Sequence, residues 1–122
     1  MLRLLATSIV AIFLTAPAAR ADGTTQLNLK ASIGTGAPHS VTLRCDPAGG
    51  NHPRAAQACS DLARSHGVFS ATRDKSPRAC FMIYSPVTVS AEGTWQGQNV
   101  SFGSRFPNTC ALQSKTGSIF DF

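Results

Sequence analysis

Polar and apolar residues alternate along several stretches of the chain, and a period of two is typical of half-buried β-strands. Residues 25–30 follow this pattern, and residues 41–45 repeat it up to Cys45. Residues 34–38, which read Gly-Thr-Gly-Ala-Pro, separate the two stretches. The pattern therefore predicts two antiparallel strands joined by a turn.

The second half of the chain repeats this arrangement. Residues 87–92 alternate between apolar and polar side chains, Gly93 interrupts them, and residues 95–98 form a turn signal before the apolar-polar run of residues 100–102. The last residues, 119–122, are rich in isoleucine and phenylalanine and predict an edge strand. These patterns together predict about five strands.

Two short stretches have helical character. In the first, apolar or half-apolar residues recur at helical spacing as Ala55, Cys59, Leu62 and His66. Asn51 or His52 is the expected cap, Pro53 suits the first turn, and Gly67 ends the run. Residues 107–113 predict a second helix, which carries Cys110. Because the helices do not alternate with the strands, we predict an α+β fold with a five-stranded antiparallel sheet and two short helices.

The N-terminus has the features of a secretory signal peptide. Arg3 precedes an uncharged apolar run over residues 4–14, and Ala-Arg-Ala at residues 19–21 is a small-x-small cleavage pattern. A membrane anchor is the alternative, but the run of 11 residues is shorter than the ~20 that a span needs. We therefore predict a signal peptide at residues 1–21 and one secreted domain at residues 22–122, with no membrane association after cleavage.

The charge of the predicted mature domain is mildly basic. The full chain has a formal charge of +5, and loss of Arg3 and Arg20 with the signal peptide leaves +3. The basic residues near Arg73, Lys75 and Arg78 are interleaved with Asp74 and a proline rather than clustered. A nucleic-acid interface requires a denser basic face with aromatic residues beside it. We therefore expect no nucleic-acid partner.

Four cysteines lie in the predicted mature domain: Cys45, Cys59, Cys80 and Cys110. In an exported protein they predict two disulfides, and three pairings are open. The closeness of Cys45 and Cys59 in sequence favours a local bridge between them. Zinc ligands usually come as tight Cys-x2-4-Cys pairs, and redox motifs need Cys-x-x-Cys, and neither spacing occurs here. We expect no metal and no cofactor.

A long polar stretch over residues 68–79 leads into the apolar segment Cys-Phe-Met-Ile-Tyr-Ser-Pro at residues 80–86. Long loops in compact domains are usually functional or disordered. Prolines flank this segment at Pro77 and Pro86, and Cys80 is available to anchor it. The pattern indicates an exposed bait for a protease, whereas a core methionine is the structural alternative for Met82.

Five motifs together resemble the Streptomyces subtilisin inhibitor family. They are Cys-x-Met-x-Tyr-x-Pro at residues 80–86, Trp-Gln-Gly at 95–97, His-Pro at 52–53, Cys-Ser-Asp-Leu-Ala at 59–63 and Ser-Ile-Phe-Asp-Phe at 118–122. The resemblance covers residues 43–122. It implies a secreted inhibitor of serine proteases, a five-stranded antiparallel sheet with two helices, bridges Cys45 to Cys59 and Cys80 to Cys110, and a homodimer.

The resemblance also implies a reactive site. Met82 is similar to the family's P1 residue, and Met82-Ile83 to its scissile bond. The protease-contacting loop then includes Arg78, Ala79, Cys80, Phe81 and Tyr84. Pro86 and Asn108 are the expected loop supports, and capping of the second helix is the alternative role of Asn108. An unbranched apolar P1 side chain suits the hydrophobic S1 pocket of subtilisin-like and chymotrypsin-like enzymes, whereas trypsin requires Lys or Arg.

Two other functions are compatible with parts of the sequence. A small secreted hydrolase could use histidine as acid and base, but the candidate residues share no spacing that suggests a site. These candidates are His39, His52, His66, Asp61 and Glu92. A cell-envelope or matrix binding module is the second alternative, and Asn99-Val100-Ser101 fits a glycosylation sequon. We expect an inhibitor and not an enzyme.

Overall fold

The computed structural model describes residues 11–12, 24–71, 80 and 83–122. The strands are β1 (Thr25–Ile33), β2 (His39–Cys45), β3 (Gly49–Gly50), β4 (Val87–Trp95) and β5 (Gln98–Phe106). The helices are α1 (Ala55–Arg64) and α2 (Thr109–Thr116), with a 3-10 turn at Phe69–Ala71. Of the predicted signal peptide, only residues 11 and 12 are among those described. Among all the residues that the structure describes, no helix has the length and hydropathy needed to cross a membrane.

The five strands form one antiparallel sheet in the order β3-β2-β1-β4-β5. The two predicted hairpins, β1-β2 and β4-β5, lie side by side because β1 also pairs with β4. Helix α1 lies between β3 and β4 in the chain, α2 follows β5, and neither helix connects two parallel strands. The predicted α+β class is therefore confirmed.

The two faces of the sheet differ sharply in character. Leu27 and Leu29 of β1 are fully buried, and their register partners Leu43 and Ala91 are buried with them. Trp95 also belongs to the core. The alternate positions form the exposed face and are polar: Gln26, Asn28, Lys30, Arg44, Thr88 and Glu92. Both helices pack against the apolar face, so the sheet has one dry side and one solvated side.

Gly93 shows why the strand pattern is interrupted where it is. Its φ is +138°, a backbone conformation that L side chains rarely adopt, and a Cβ added there would lie 2.1 Å from the backbone oxygen of Gln26. The glycine therefore lets β1 and β4 approach closely, and β4 continues past it to Trp95.

The fifth strand is not the one that the sequence predicts. The structure has no strand at residues 119–122, and the prediction of a C-terminal edge strand was wrong. Consecutive residues Ile119 and Phe120 are 0% and 4% exposed, which is incompatible with the alternating exposure of a half-buried strand. The fifth strand is instead β3, a pair of glycines that lies in a predicted loop and pairs with β2.

The C-terminal segment is held by side chains of the α1 region instead. The buried carboxylate of Asp61 accepts hydrogen bonds from Ser118 N at 2.9 Å and Ser118 Oγ at 2.7 Å, and it also pairs with Arg64. The buried ring of His52 bonds through Nε2 to the carbonyl oxygen of Ile119 at 2.7 Å. These bonds occupy backbone groups that strand pairing would otherwise use.

The predicted helix caps need correction. Neither Asn51 nor His52 occupies the cap position of α1, which is Arg54 and has no side-chain capping bond. Asn51 Oδ1 instead accepts from Thr42 N of β2 at 2.6 Å, and His52 Nδ1 accepts from Arg54 N at 2.9 Å. The second helix begins two residues later than predicted, with Asn108 as its cap.

Asp61→Ala should destabilise the domain by about 3 kcal/mol, because it removes the acceptor of two buried Ser118 donors and leaves them unsatisfied. Asp61→Asn should cost less, since one acceptor oxygen remains. Glu92→Ala, on the exposed face of the sheet, is the control and should change stability by less than about 0.5 kcal/mol. Urea denaturation measures all three, and an Asp61→Ala midpoint equal to that of the control would contradict the assignment.

Candidate functional site

The apolar segment before β4 emerges from the core into solvent. Val87, the first residue of β4, is 2% exposed, whereas Ile83 and Tyr84 are 67% and 76% exposed. Two large apolar side chains thus point into water within four residues of the core. Of the other predicted contact residues, Arg78, Ala79, Phe81 and Met82 lie outside the described residues, and Cys80 is half-buried.

Residues 83–86, here called the C-terminal leg of the loop, are held by three hydrogen bonds of the same length. Asn108 Nδ2 donates to the Ile83 carbonyl at 2.8 Å. Ser85 N donates to the Pro107 carbonyl at 2.8 Å, and Gly34 N donates to the Pro86 carbonyl at 2.8 Å. Backbone groups on both sides of Tyr84 are therefore fixed, while its side chain stays exposed.

Asn108 makes one hydrogen bond to the loop and another to helix α2. Its Oδ1 accepts from Ala111 N at 2.7 Å and caps α2, and its Nδ2 donates to Ile83 O. One amide side chain thus joins the first turn of a helix to the loop. An amide has both an acceptor and donors, so neither a carboxylate nor a hydroxyl of similar size could make the same two bonds as well.

The start of the loop is joined covalently to the same helix. Cys80 is bonded to Cys110 of α2, and the other bridge joins Cys45 at the end of β2 to Cys59 of α1. This is the pairing that the resemblance implies. Ser114 Oγ lies 3.5 Å from Cys80 Sγ and donates to the Cys110 carbonyl at 2.9 Å. Helix α2 therefore holds the loop on both sides of residues 81–82.

Two supports of the loop could not be found from the sequence. Gly34 acts through its backbone N–H, and Pro107 acts through its backbone C=O. Almost every residue has these groups, so the sequence does not single out the two positions. Their contribution depends on where the β1-β2 turn and the start of α2 lie in space. Pro86 was predicted to stiffen the loop through its ring, and the contact that the structure shows is made by its carbonyl oxygen, which accepts from Gly34 N.

The histidine and carboxylate side chains that a hydrolase could use do not lie together in one site. His52 is buried, with both ring nitrogens engaged by backbone groups, and Asp61 is buried against Ser118. His39 begins β2, His66 follows α1, and Glu92 lies on the exposed face of the sheet. Within the described residues, no group of three or more His, Cys, Asp or Glu side chains could hold a metal ion.

Residues 23–108 match the protein family described as subtilisin inhibitor-like. The chain is 46% identical over 84 residues to subtilisin inhibitor-like protein 5 of Streptomyces fradiae, with 68% of this chain and 78% of that protein covered. It is 41% identical over 93 residues to a subtilase-type protease inhibitor of Streptomyces coelicolor, with coverage of 75% and 65%.

A solved structure with a similar fold is the crystal structure of Streptomyces caespitosus sermetstatin in complex with Bacillus licheniformis subtilisin. The TM-score is 0.64 and the sequence identity 27%, with 82% of this chain and 100% of that chain covered. The similarity therefore covers most of this chain and the whole of that one.

Asn108→Ser should separate the two roles of this side chain. Serine caps a helix about as well as asparagine but is too short to reach the Ile83 carbonyl, so the melting temperature should stay close to the wild-type value. Loss of the loop bond should speed amide exchange in residues 83–85 by roughly tenfold. Asn108→Ala removes both bonds and should also lower stability by about 1 kcal/mol.

Hydrogen exchange, read by mass spectrometry on peptides that span residues 83–86, measures the predicted increase in amide exchange. Exchange as slow in the serine variant as in the wild type would show that the Asn108 to Ile83 bond does not hold the loop.

Proposed function

This chain belongs to the subtilisin inhibitor-like family, a family of protease inhibitors rather than enzymes, and we propose that it blocks subtilisin-like serine proteases by presenting residues 80–86 as a substrate-like loop. Met82 is the P1 residue, and Met82-Ile83 is the scissile bond. The observation that carries the proposal is the restrained C-terminal leg, which leaves Ile83 and Tyr84 exposed while its backbone is hydrogen-bonded to the domain.

The mechanism follows from preorganisation. A protease binds its substrate as an added strand, and alternate side chains of that strand fill its subsites. Ordering a free peptide in this way costs about 0.5–1.5 kcal/mol for each immobilised side chain. A loop that is already held by Asn108, Pro107 and the Cys80–Cys110 bridge avoids much of this cost. After cleavage the same contacts would keep the two new ends together, so religation competes with release.

Each predicted residue has a distinct role in this proposal. Met82 enters the S1 pocket, where its unbranched apolar chain fits a hydrophobic slot. Ile83 and Tyr84 lie on the primed side, beyond the scissile bond. Phe81, Cys80, Ala79 and Arg78 run along the non-primed side.

Secretion and dimerisation belong to the proposal as well. Export through a signal peptide at residues 1–21 would bring the inhibitor to extracellular proteases and would favour its disulfides. The homodimer is supported by the family resemblance. Val41, Val87, Val89 and Phe102 lie on the side of the sheet that carries the helices, so a partner would meet other residues. Light scattering at micromolar concentration decides between monomer and dimer.

Titration of subtilisin with the mature, oxidised domain should abolish peptidase activity at a 1:1 ratio of binding sites. Prolonged incubation at low pH, followed by mass spectrometry, should reveal slow cleavage at Met82-Ile83 alone. Rapid digestion at many bonds without inhibition would reject the proposal, and the binding-module alternative would then be favoured.

Met82→Lys should transfer inhibition from subtilisin to trypsin, since a P1 side chain is the main anchor of such a complex and trypsin's S1 pocket takes a cation. We expect a roughly 100-fold gain against trypsin and a comparable loss against subtilisin. Met82→Leu is the matched control and should keep subtilisin inhibition within about tenfold, because the volume is conserved. Unchanged inhibition constants for both enzymes in the lysine variant would show that Met82 is not the anchor.

Replacement of Cys80 and Cys110 by serine should convert the inhibitor into a substrate, because the start of the loop loses its covalent link to α2. The matched control replaces Cys45 and Cys59, which removes the other bridge but leaves the loop fastened. Either change should lower stability by roughly 3 kcal/mol. Time courses of subtilisin digestion separate the two variants, and equal resistance to cleavage would mean that the bridge does not preserve the loop.

A further inference from the structure

Three large apolar side chains are exposed at the same end of the sheet. Ile33, at the end of β1, is 58% exposed, and it joins Ile83 and Tyr84 of the C-terminal leg. Ile33 pairs with Val87 in the register of β1 and β4, so it lies opposite the residue at which the leg enters the core. The proposed reactive loop accounts for Ile83 and Tyr84 but not for Ile33.

The turn that carries Ile33 is fastened both to itself and to the loop. Gly36 N donates to the Ile33 carbonyl at 2.9 Å and closes the turn. Gly34 N donates to the Pro86 carbonyl at 2.8 Å, so the turn is bonded directly to the C-terminal leg. The position of Ile33 relative to the loop is therefore set before any partner binds.

A groove opens beside Ile33 on the side of the sheet that carries α2. Its volume is about 190 Å³, and its mostly apolar lining includes Ile33, Ala37, His39, Val87, Thr109 and Leu112. Thr109 follows Asn108, the residue that holds Ile83. Val87, another lining residue, follows Pro86 of the C-terminal leg, so the groove adjoins the residues that flank the loop.

We propose that Ile33 and this groove form a second contact surface for the protease that is bound at the reactive loop, on the primed side of the scissile bond. The surface would receive an apolar side chain from the rim of the enzyme's cleft. This inference rests on the proposed function. Burial of additional apolar area adds to affinity, and in a preorganised complex it acts mainly by slowing dissociation.

Val68 provides a matched control for Ile33. It is 50% exposed and follows Gly67, where an added Cβ would lie 2.4 Å from the ring of Trp95 at the far end of β4. Since β4 runs from Val87 to Trp95, the two ends are separated by about 26 Å at ~3.3 Å per residue. An enzyme engaged at the loop should not need Val68.

Ile33→Ser should weaken inhibition of subtilisin by about tenfold through faster dissociation, whereas Val68→Ser should leave the inhibition constant unchanged. Progress-curve kinetics with the full mature domain give both rate constants, and thermal melts verify that each variant is folded. Wild-type affinity in a folded Ile33→Ser variant, while the wild type itself inhibits, would overturn the second surface and leave the proposed function intact. A wild type that does not inhibit would instead overturn the function on which this surface depends.

A second measurement avoids substitutions altogether. Hydroxyl-radical footprinting of the wild-type domain, with and without subtilisin, should show reduced oxidation of Ile33 in the complex and no change at Val68. Equal oxidation of Ile33 in both states would overturn the proposal.

Discussion

The start of α2 is the anchor on which the rest of this molecule depends. Within four residues it supplies the Pro107 carbonyl, both functional ends of the Asn108 amide and the sulfur of Cys110. These groups hold Cys80 and residues 83–86, which lie on either side of residues 81–82 in the sequence. Large apolar side chains normally pack into the core, and here hydrogen bonds to Pro107 and Asn108 keep the backbone of residues 83–85 in place while Ile83 and Tyr84 face water.

Helix α2 is itself held in place by contacts with the rest of the domain. Helix α2 ends at Thr116, and the next residues are bound to the α1 region through Asp61 and His52. Helix α1 is in turn tied to β2 by the Cys45–Cys59 bridge. A small domain buries little apolar area, so disulfides and buried charge-assisted hydrogen bonds supply rigidity that a larger core would otherwise provide. Disulfides and hydrogen bonds thus connect the loop to α2, the residues after α2 to the α1 region, and α1 to the sheet.

Both helices cover one face of the sheet, and this placement explains where exposed apolar side chains are found. The exposed face is polar, and among the described residues most of the exposed large apolar side chains lie at the end of the sheet where β1 turns and β4 begins. The C-terminal leg of the proposed reactive loop, Ile33 and the adjoining groove are neighbours because one hydrogen bond, from Gly34 to Pro86, joins the first hairpin to the leg. Topology therefore brings residues 50 positions apart in sequence into one surface.

The sequence by itself determined the class of fold, four of the five strands, both helices and the family. Alternation of polar and apolar residues reports directly which side of a strand is buried, and the motifs around Cys59 and residues 80–86 are local in sequence. Only the tertiary structure decided the dual bonding of Asn108, the roles of Gly34, Pro107 and Asp61, and the replacement of a C-terminal strand by a segment bound through side chains. Each of these depends on contacts between residues distant in the chain, often through backbone groups that all residues share, and no local pattern encodes such contacts.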